Sequence, residues 1–162
     1  MTLLPLLVPF AVLPLCALSD VATFKIPNRY VAVLLAAWLP VQLLAGAGQH
    51  EVGMTALVGG IALLACLLLF ALGAFGAGDG KLLPTAMLWV GYEGALQFLY
   101  LTAMLGGAMC LLLVMARARP LPVPAMRYGW VVRMHDAKRK APYGVPIAGA
   151  AMITMALGTL PA

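Results

Sequence analysis

Charge is scarce in this chain. Only five acids and ten basic residues occur among its 162, and its mean hydropathy is +1.04. That excludes an ordinary water-soluble domain, in which about a quarter of the residues are charged. Serine is scarcer still: Ser19 stands alone with no His-Asp pattern beside it, so a serine-hydrolase triad finds no support. Cys16, Cys66 and Cys110 fall singly inside apolar segments. Without a Cys-x-x-Cys pair they read as small core or lipid-facing residues rather than a zinc or dithiol site. His50 and His135 lie in expected connections without a cluster of ligands, so neither a metal nor a cofactor is expected. The net charge of +5 and pI near 9.4 come without an aromatic-interleaved basic module. Nucleic acid is therefore not expected as a partner, whereas anionic membrane lipid is.

What is abundant is apolar sequence, 64% of the chain. Its runs lie near 2–19, 29–47, 53–75, 80–92, 95–116 and 144–161. Runs of roughly 17 to 25 residues suit a hydrocarbon layer about 30 Å thick, where helices satisfy their own backbone hydrogen bonds. The expected fold is all-α, a polytopic membrane protein with about six transmembrane helices in one domain spanning 1–162. No Lys or Arg precedes residues 2–19, which therefore read as a span rather than a secretory signal. The fourth run is short, but charge placement argues that it crosses. Lys25 and Arg29 fall between runs one and two, Lys81 between three and four, and the other seven basic residues between five and six. The connections around His50 and Glu51 and around Glu93 carry none. Six spans thus gather all ten on one side, which the positive-inside bias makes the cytoplasm, with both termini outside. The 117–143 connection holds Pro120, Pro122 and Pro124, then an amphipathic stretch from Tyr128 to Lys140 suited to the headgroup layer. Gly144, Ala148 and Ala151 share one face of the last run and permit close helix approach.

This topology sorts the acids. Glu51 and Glu93 go outside, Asp136 enters the basic connection, and Asp20 and Asp79 meet at the cytoplasmic face, one ending the first span and the other opening the fourth. Acids within membrane segments are costly and mark function. A carboxylate pair supports amide hydrolysis: one member takes a proton from water while the other, protonated, hydrogen-bonds the scissile carbonyl. Each Asp alone also fits a blander role, capping a helix or facing interfacial water.

The flanking residues sharpen the contrast. Asp79 sits in Gly76-Ala77-Gly78-Asp79-Gly80, followed by Lys81, and these glycines suit unusual backbone shapes or close approach of another chain. Asp20 is followed, after five residues, by Ile26-Pro27-Asn28, and Pro27 is expected to separate two helices. An Asp with Ile-Pro-Asn after five residues, followed by Gly-x-Gly-Asp, resembles the prepilin peptidases among the GxGD aspartic membrane proteases. Pro142-Tyr143-Gly144-Val145-Pro146-Ile147 at the start of the last run adds a third similarity.

The resemblance implies that Asp20 and Asp79 are the catalytic pair. It also implies that Gly76, Gly78, Gly80, Lys81, Ile26, Pro27, Asn28, Pro142, Tyr143 and Gly144 shape the site or bind substrate. The implied activity is cleavage after a glycine, at the cytoplasmic face of the bacterial inner membrane, between the leader and the hydrophobic helix of a prepilin-like protein. The compact size and the Pro-Tyr-Gly segment look like the subtype serving Flp-type pili or pseudopilins in tight-adherence systems. Nothing matches the paired-cysteine domain of bifunctional members, so methyl transfer is not expected. From other classes, a small proton- or cation-coupled transporter and a catalytically silent pilus-assembly subunit stay open.

Overall fold

A computed structural model describes residues 4–118, 120–121, 126–136 and 141–158. Every regular element among them is a helix: α1 (Leu4–Thr23), α2 (Asn28–Leu44), α3 (Gln49–Ala71), α4 (Asp79–Val90), α5 (Ala95–Arg117), α6 (Gly129–Asp136) and α7 (Gly144–Gly158). The fold is all-α, as expected from the sequence. Three helices, α1 over Leu6–Thr23, α3 and α5, are long and apolar enough to cross a membrane. The chain is a membrane protein.

Helix α4 lies at the centre, packing against α1, α2, α3, α5 and α7, while α7 also packs against α1 and α5. Its 12 residues reach only about 18 Å at 1.5 Å per residue. A short helix carrying Asp79 and Lys81 is tolerable because protein surrounds it, and most of its side chains are buried. Trp89 Nε1 donates to the Leu34 carbonyl at 3.1 Å, tying α4 to α2. Leu13, Leu34, Leu82, Met87, Phe98 and Ile147 form the fully buried centre, whereas Leu64 and Leu68 of α3 and Leu111, Leu112 and Met115 of α5 face outward. Outward leucines on a chain with so few charges suit lipid contact. The small face of α7 is used as expected: Gly144, Ala148 and Ala151 are all buried.

Several boundaries differ from the hydropathy reading for local reasons. Helix α1 runs to Thr23, so Asp20 lies inside its last turn rather than at its end. The Phe24 N–H bonds the Asp20 carbonyl at 2.8 Å, and the Thr23 hydroxyl donates to the Ser19 carbonyl. Helix α3 begins at Gln49, placing His50 and Glu51 in its first turn rather than in a connection. There a Glu51 carboxylate oxygen accepts from the Gly48 N–H at 3.3 Å. Gly73, with φ +71°, follows its end. Gly91, with φ +86°, stops α4 two residues early. Pro27 does separate two helices, capping α2 with extended backbone. The amphipathic stretch yields α6, held to the end of α5 by the Arg117 guanidinium, whose Nε and Nη2 donate to the Met134 carbonyl at 3.0 and 2.8 Å. Residues 2–3, Arg119, Pro122, Pro124, Lys138, Arg139, Lys140 and the predicted end of the last span at 161 lie outside the described residues.

Candidate active site

Two cavities open at opposite ends of the bundle. The larger, about 770 Å3, lies where α1 ends, α2 begins, α3 ends and α4 begins, with Cys110 of α5 and Tyr143 before α7 on its wall. Asp20 and Asp79 both line it, and Asp79 lies within electrostatic range of Asp20. Asp20 is buried and Asp79 half-buried.

Asp20 is fixed by a distant part of the chain. Its Oδ2 accepts the Gly144 N–H at 2.7 Å, across 124 positions. A hydrogen bond from a backbone N–H to a carboxylate is short and strong when aligned, worth about 1.5–3 kcal/mol. Gly144 also lies close against this carboxyl group: a Cβ there would sit 2.9 Å from Oδ2 and 3.0 Å from Asp20 Cβ. The residue thus supplies both an N–H and the space beside it. The two neighbours that introduce the segment, Pro142 and Tyr143, divide inward and cavity-facing roles, Pro142 buried and Tyr143 on the wall.

Asp79 opens α4 after the glycine-rich turn. Gly76 leaves room for its carboxylate, since a Cβ there would stand 2.8 Å from Asp79 Oδ2. The other two glycines act differently from the expectation. None of the three has positive φ, and a Cβ on Gly78 or Gly80 would meet its neighbours at ordinary contact distances, 3.5 Å from Ile26 Cγ1 and 3.7 Å from Phe75 Cδ1 respectively. Gly78 thus packs beside Ile26, and Gly80 is buried against Phe75 and Cys66. Unusual backbone shape is required at Gly73 instead, with φ +71°.

The two aspartate segments touch directly. Beyond the Ile26 and Gly78 contact, Lys81 Nζ donates to Asn28 Oδ1 at 3.2 Å, joining the two segments. Of the residues singled out in the sequence, Asp20, Ile26, Asn28, Gly76, Gly78, Asp79, Lys81 and Tyr143 line the cavity, whereas Pro27, Gly80, Pro142 and Gly144 stand behind it.

Phe24 and Cys110 are wall residues that escape the sequence reading. Phe24 adopts φ +52°, rare for a bulky residue. The Ser19 hydroxyl holds its turn by donating to the Lys25 carbonyl at 2.9 Å, and the Thr23 O–H, bonded to the Ser19 carbonyl at 2.8 Å, shares its one proton with the Lys25 carbonyl at 3.3 Å. Cys110 is the other: it lines the cavity, and its thiol lies 3.8 Å from Tyr143 Oη. Only Cys16 and Cys66 are buried core thiols as expected. Partial burial, the Cys110 side chain and the Asp79 charge all raise the Tyr143 phenol above its ordinary pKa, keeping it a proton donor at neutral pH.

The second cavity, about 490 Å3, is walled by the opposite helix ends and carries Glu51, Tyr92 and Glu93. Its acids are exposed and serve local contacts: Glu51 caps α3 through Gly48, and Glu93 Oε1 accepts the Tyr92 hydroxyl at 3.1 Å.

An all-helical membrane protein with two acids converging on one end cavity defines a class, and sequence comparison places the chain within it. The chain belongs to the type IV leader peptidase family, whose model matches residues 7–111. The match includes both aspartate segments but not residues 142–147. No curated protein and no solved structure matches the chain. Membership makes the protein a leader-peptidase-like protease acting on pilin-like substrates, which favours hydrolysis over the transporter reading.

Proposed function

We propose that the protein is an aspartic endopeptidase in which Asp20 and Asp79 jointly activate water to remove the leader from a prepilin-like substrate. The observation that carries this reading is the shared cavity: two carboxylates 59 positions apart in sequence (79 minus 20) line one space in a member of a leader peptidase family. One carboxylate accepts a proton from water as its oxygen attacks the scissile carbonyl carbon. The other, protonated, donates to the carbonyl oxygen, giving a tetrahedral diol. Collapse then breaks the C–N bond, the amine leaves with a proton from the first aspartate, and the second recovers its own from the diol hydroxyl. No covalent intermediate forms. Gly76 and Gly144 keep space beside the two carboxylates, and the Gly144 N–H orients Asp20.

The proposal extends to topology and substrate. Lys25, Lys81 and Asn28 gather at the end of the bundle that holds the cavity. With the positive-inside bias this end is cytoplasmic, the termini lie outside, and six helices cross the bacterial cytoplasmic membrane. Reporter fusions after His50 and after Glu93 are expected to signal from the periplasm; a cytoplasmic signal after Glu93 removes α4 as a crossing. The whole chain acts as one peptidase domain on an Flp-type pilin or pseudopilin, cutting after glycine without methylating the new terminus. Mass spectrometry of the product made by the purified enzyme checks this, and a methylated terminus contradicts it. The direct test is co-expression with a candidate prepilin. Wild type removes the leader and Asp79→Asn does not; leader removal by Asp79→Asn at matched membrane levels overturns the reading.

A further inference from the structure

The two-aspartate reading leaves the Tyr143 hydroxyl on the cavity wall without a role. We propose that Tyr143 is a third catalytic group, its phenolic hydroxyl donating a hydrogen bond to the carbonyl oxygen of the peptide bond held between Asp20 and Asp79. The inference rests on that reading and deepens it.

Three observations point to this assignment. First, Tyr143 lines the same cavity as both acids and lies within electrostatic range of Asp79. Second, its ring tip is held in place by one face of α5. A Cβ on Gly106 would lie 2.8 Å from Tyr143 Cε1 and 3.2 Å from its Oη, so the ring sits directly against the helix backbone. One turn further along, the Cys110 thiol lies 3.8 Å from the same Oη. Third, the hydroxyl is only lightly committed. A phenol has one proton and two lone pairs, and its side-chain partner is the Cys110 sulfur at 3.8 Å, a long, weak contact in which either group can donate. A seated donor whose proton is held by no more than a weak sulfur contact, on the wall of a cavity that holds two carboxylates, suits an oxygen on which negative charge develops during attack.

The backbone adds a reason for the position. The residue after Tyr143 delivers its N–H to Asp20. Consecutive residues therefore carry the phenol and the N–H that orients Asp20. A donor fixed this way loses little ordering entropy when the transition state forms.

The experiment compares wild type, Tyr143→Phe and Asp79→Asn, purified in detergent, on a prepilin segment spanning the processing site. Phenylalanine keeps the ring against Gly106 and removes only the hydroxyl. The expected result is a kcat about 10- to 100-fold lower with KM changed by less than about threefold, since the donor acts as charge develops. Affinity for a peptide analogue with a tetrahedral hydroxyl at the scissile position should fall with kcat, while a non-cleavable substrate-like peptide binds as before. A wild-type kcat in Tyr143→Phe overturns the inference. So does a loss confined to KM, or one accompanied by a lower unfolding midpoint and equal weakening of both peptides, because these mark a packing role. An inactive Asp79→Asn beside a fully active Tyr143→Phe sinks the tyrosine alone; an active Asp79→Asn removes the two-aspartate reading beneath it.

Discussion

The two ends of the bundle each carry a cavity with two acids on its wall, yet only one pair is placed as the proposed dyad requires. At one end Asp20 and Asp79 come from different helices, one buried and one half-buried, and Asp20 is held by an N–H 124 positions away while Asp79 lies against Gly76, three residues before it. At the other, Glu51 and Glu93 are exposed, and each answers to a group within three residues of itself. Acid count does not separate the two cavities. Burial does, together with the long-range hold on Asp20, because a carboxylate kept from water is the one whose protonation its neighbours govern.

The largest expected contrast exchanges acid for amide at both ends. Asp20→Asn or Asp79→Asn should reduce leader cleavage by at least about a thousandfold, as loss of a proton-transfer group from a concerted pair does. Glu51→Gln and Glu93→Gln should each stay within about threefold of wild type, since their contacts are local and solvated. Quantitative leader-processing assays at matched protein levels make the comparison. Equal losses at both ends would erase the distinction drawn between the cavities.

A smaller effect is expected from the glycines that leave room for the acids. Gly144→Ala and Gly76→Ala would each place a Cβ within 3.0 Å of a catalytic-candidate carboxylate. A displaced carboxylate at that range should lower kcat/KM about 10- to 100-fold. Gly78→Ala, whose Cβ would find ordinary contacts with Ile26, should cost roughly threefold or less. Steady-state kinetics on the four proteins tests this, and an inactive Gly78→Ala with an active Gly76→Ala reverses the argument.

The smallest effect concerns the scaffold between the cavities. Trp89→Phe removes the indole hydrogen bond to the Leu34 carbonyl and should lower stability by about 1 kcal/mol. A thermal melt in detergent is expected to shift by a few degrees while kcat stays unchanged. A large loss of kcat would show that the central helix transmits strain to the site.

How far these features were readable from sequence follows the range of the interactions. Helical class, the starts of α5 and α7, and the meeting of Asp20 with Asp79 at one end follow from composition, periodicity and charge placement. The end of α1 does not, because hydropathy falls at Ser19 and Asp20 while their backbone continues helical to Thr23. Phe24 was illegible because nothing in a phenylalanine announces φ +52°; its turn is held by the hydroxyls of Ser19 and Thr23. Cys110 read as an apolar-segment residue, since its partner Tyr143 is 33 positions away. Gly144 showed a family-like segment in the sequence, but its bond to Asp20 spans 124 positions, and only folding reveals which acid it serves. Gly78 and Gly80 were visible as part of a motif, whereas their ordinary contact distances had to be seen in three dimensions.

The most direct test of the paired-acid account is a comparison of single and double substitutions in one purified preparation. Asp20→Asn, Asp79→Asn and the double variant are assayed for leader cleavage, with Asp136→Asn as the control outside both segments. Groups that act as one unit lose nearly everything with the first substitution, so the double variant should be scarcely worse than either single. Asp136→Asn should cleave normally. Near-normal cleavage by either single variant, or single losses that multiply in the double as independent contributions, would contradict the claim that Asp20 and Asp79 work together.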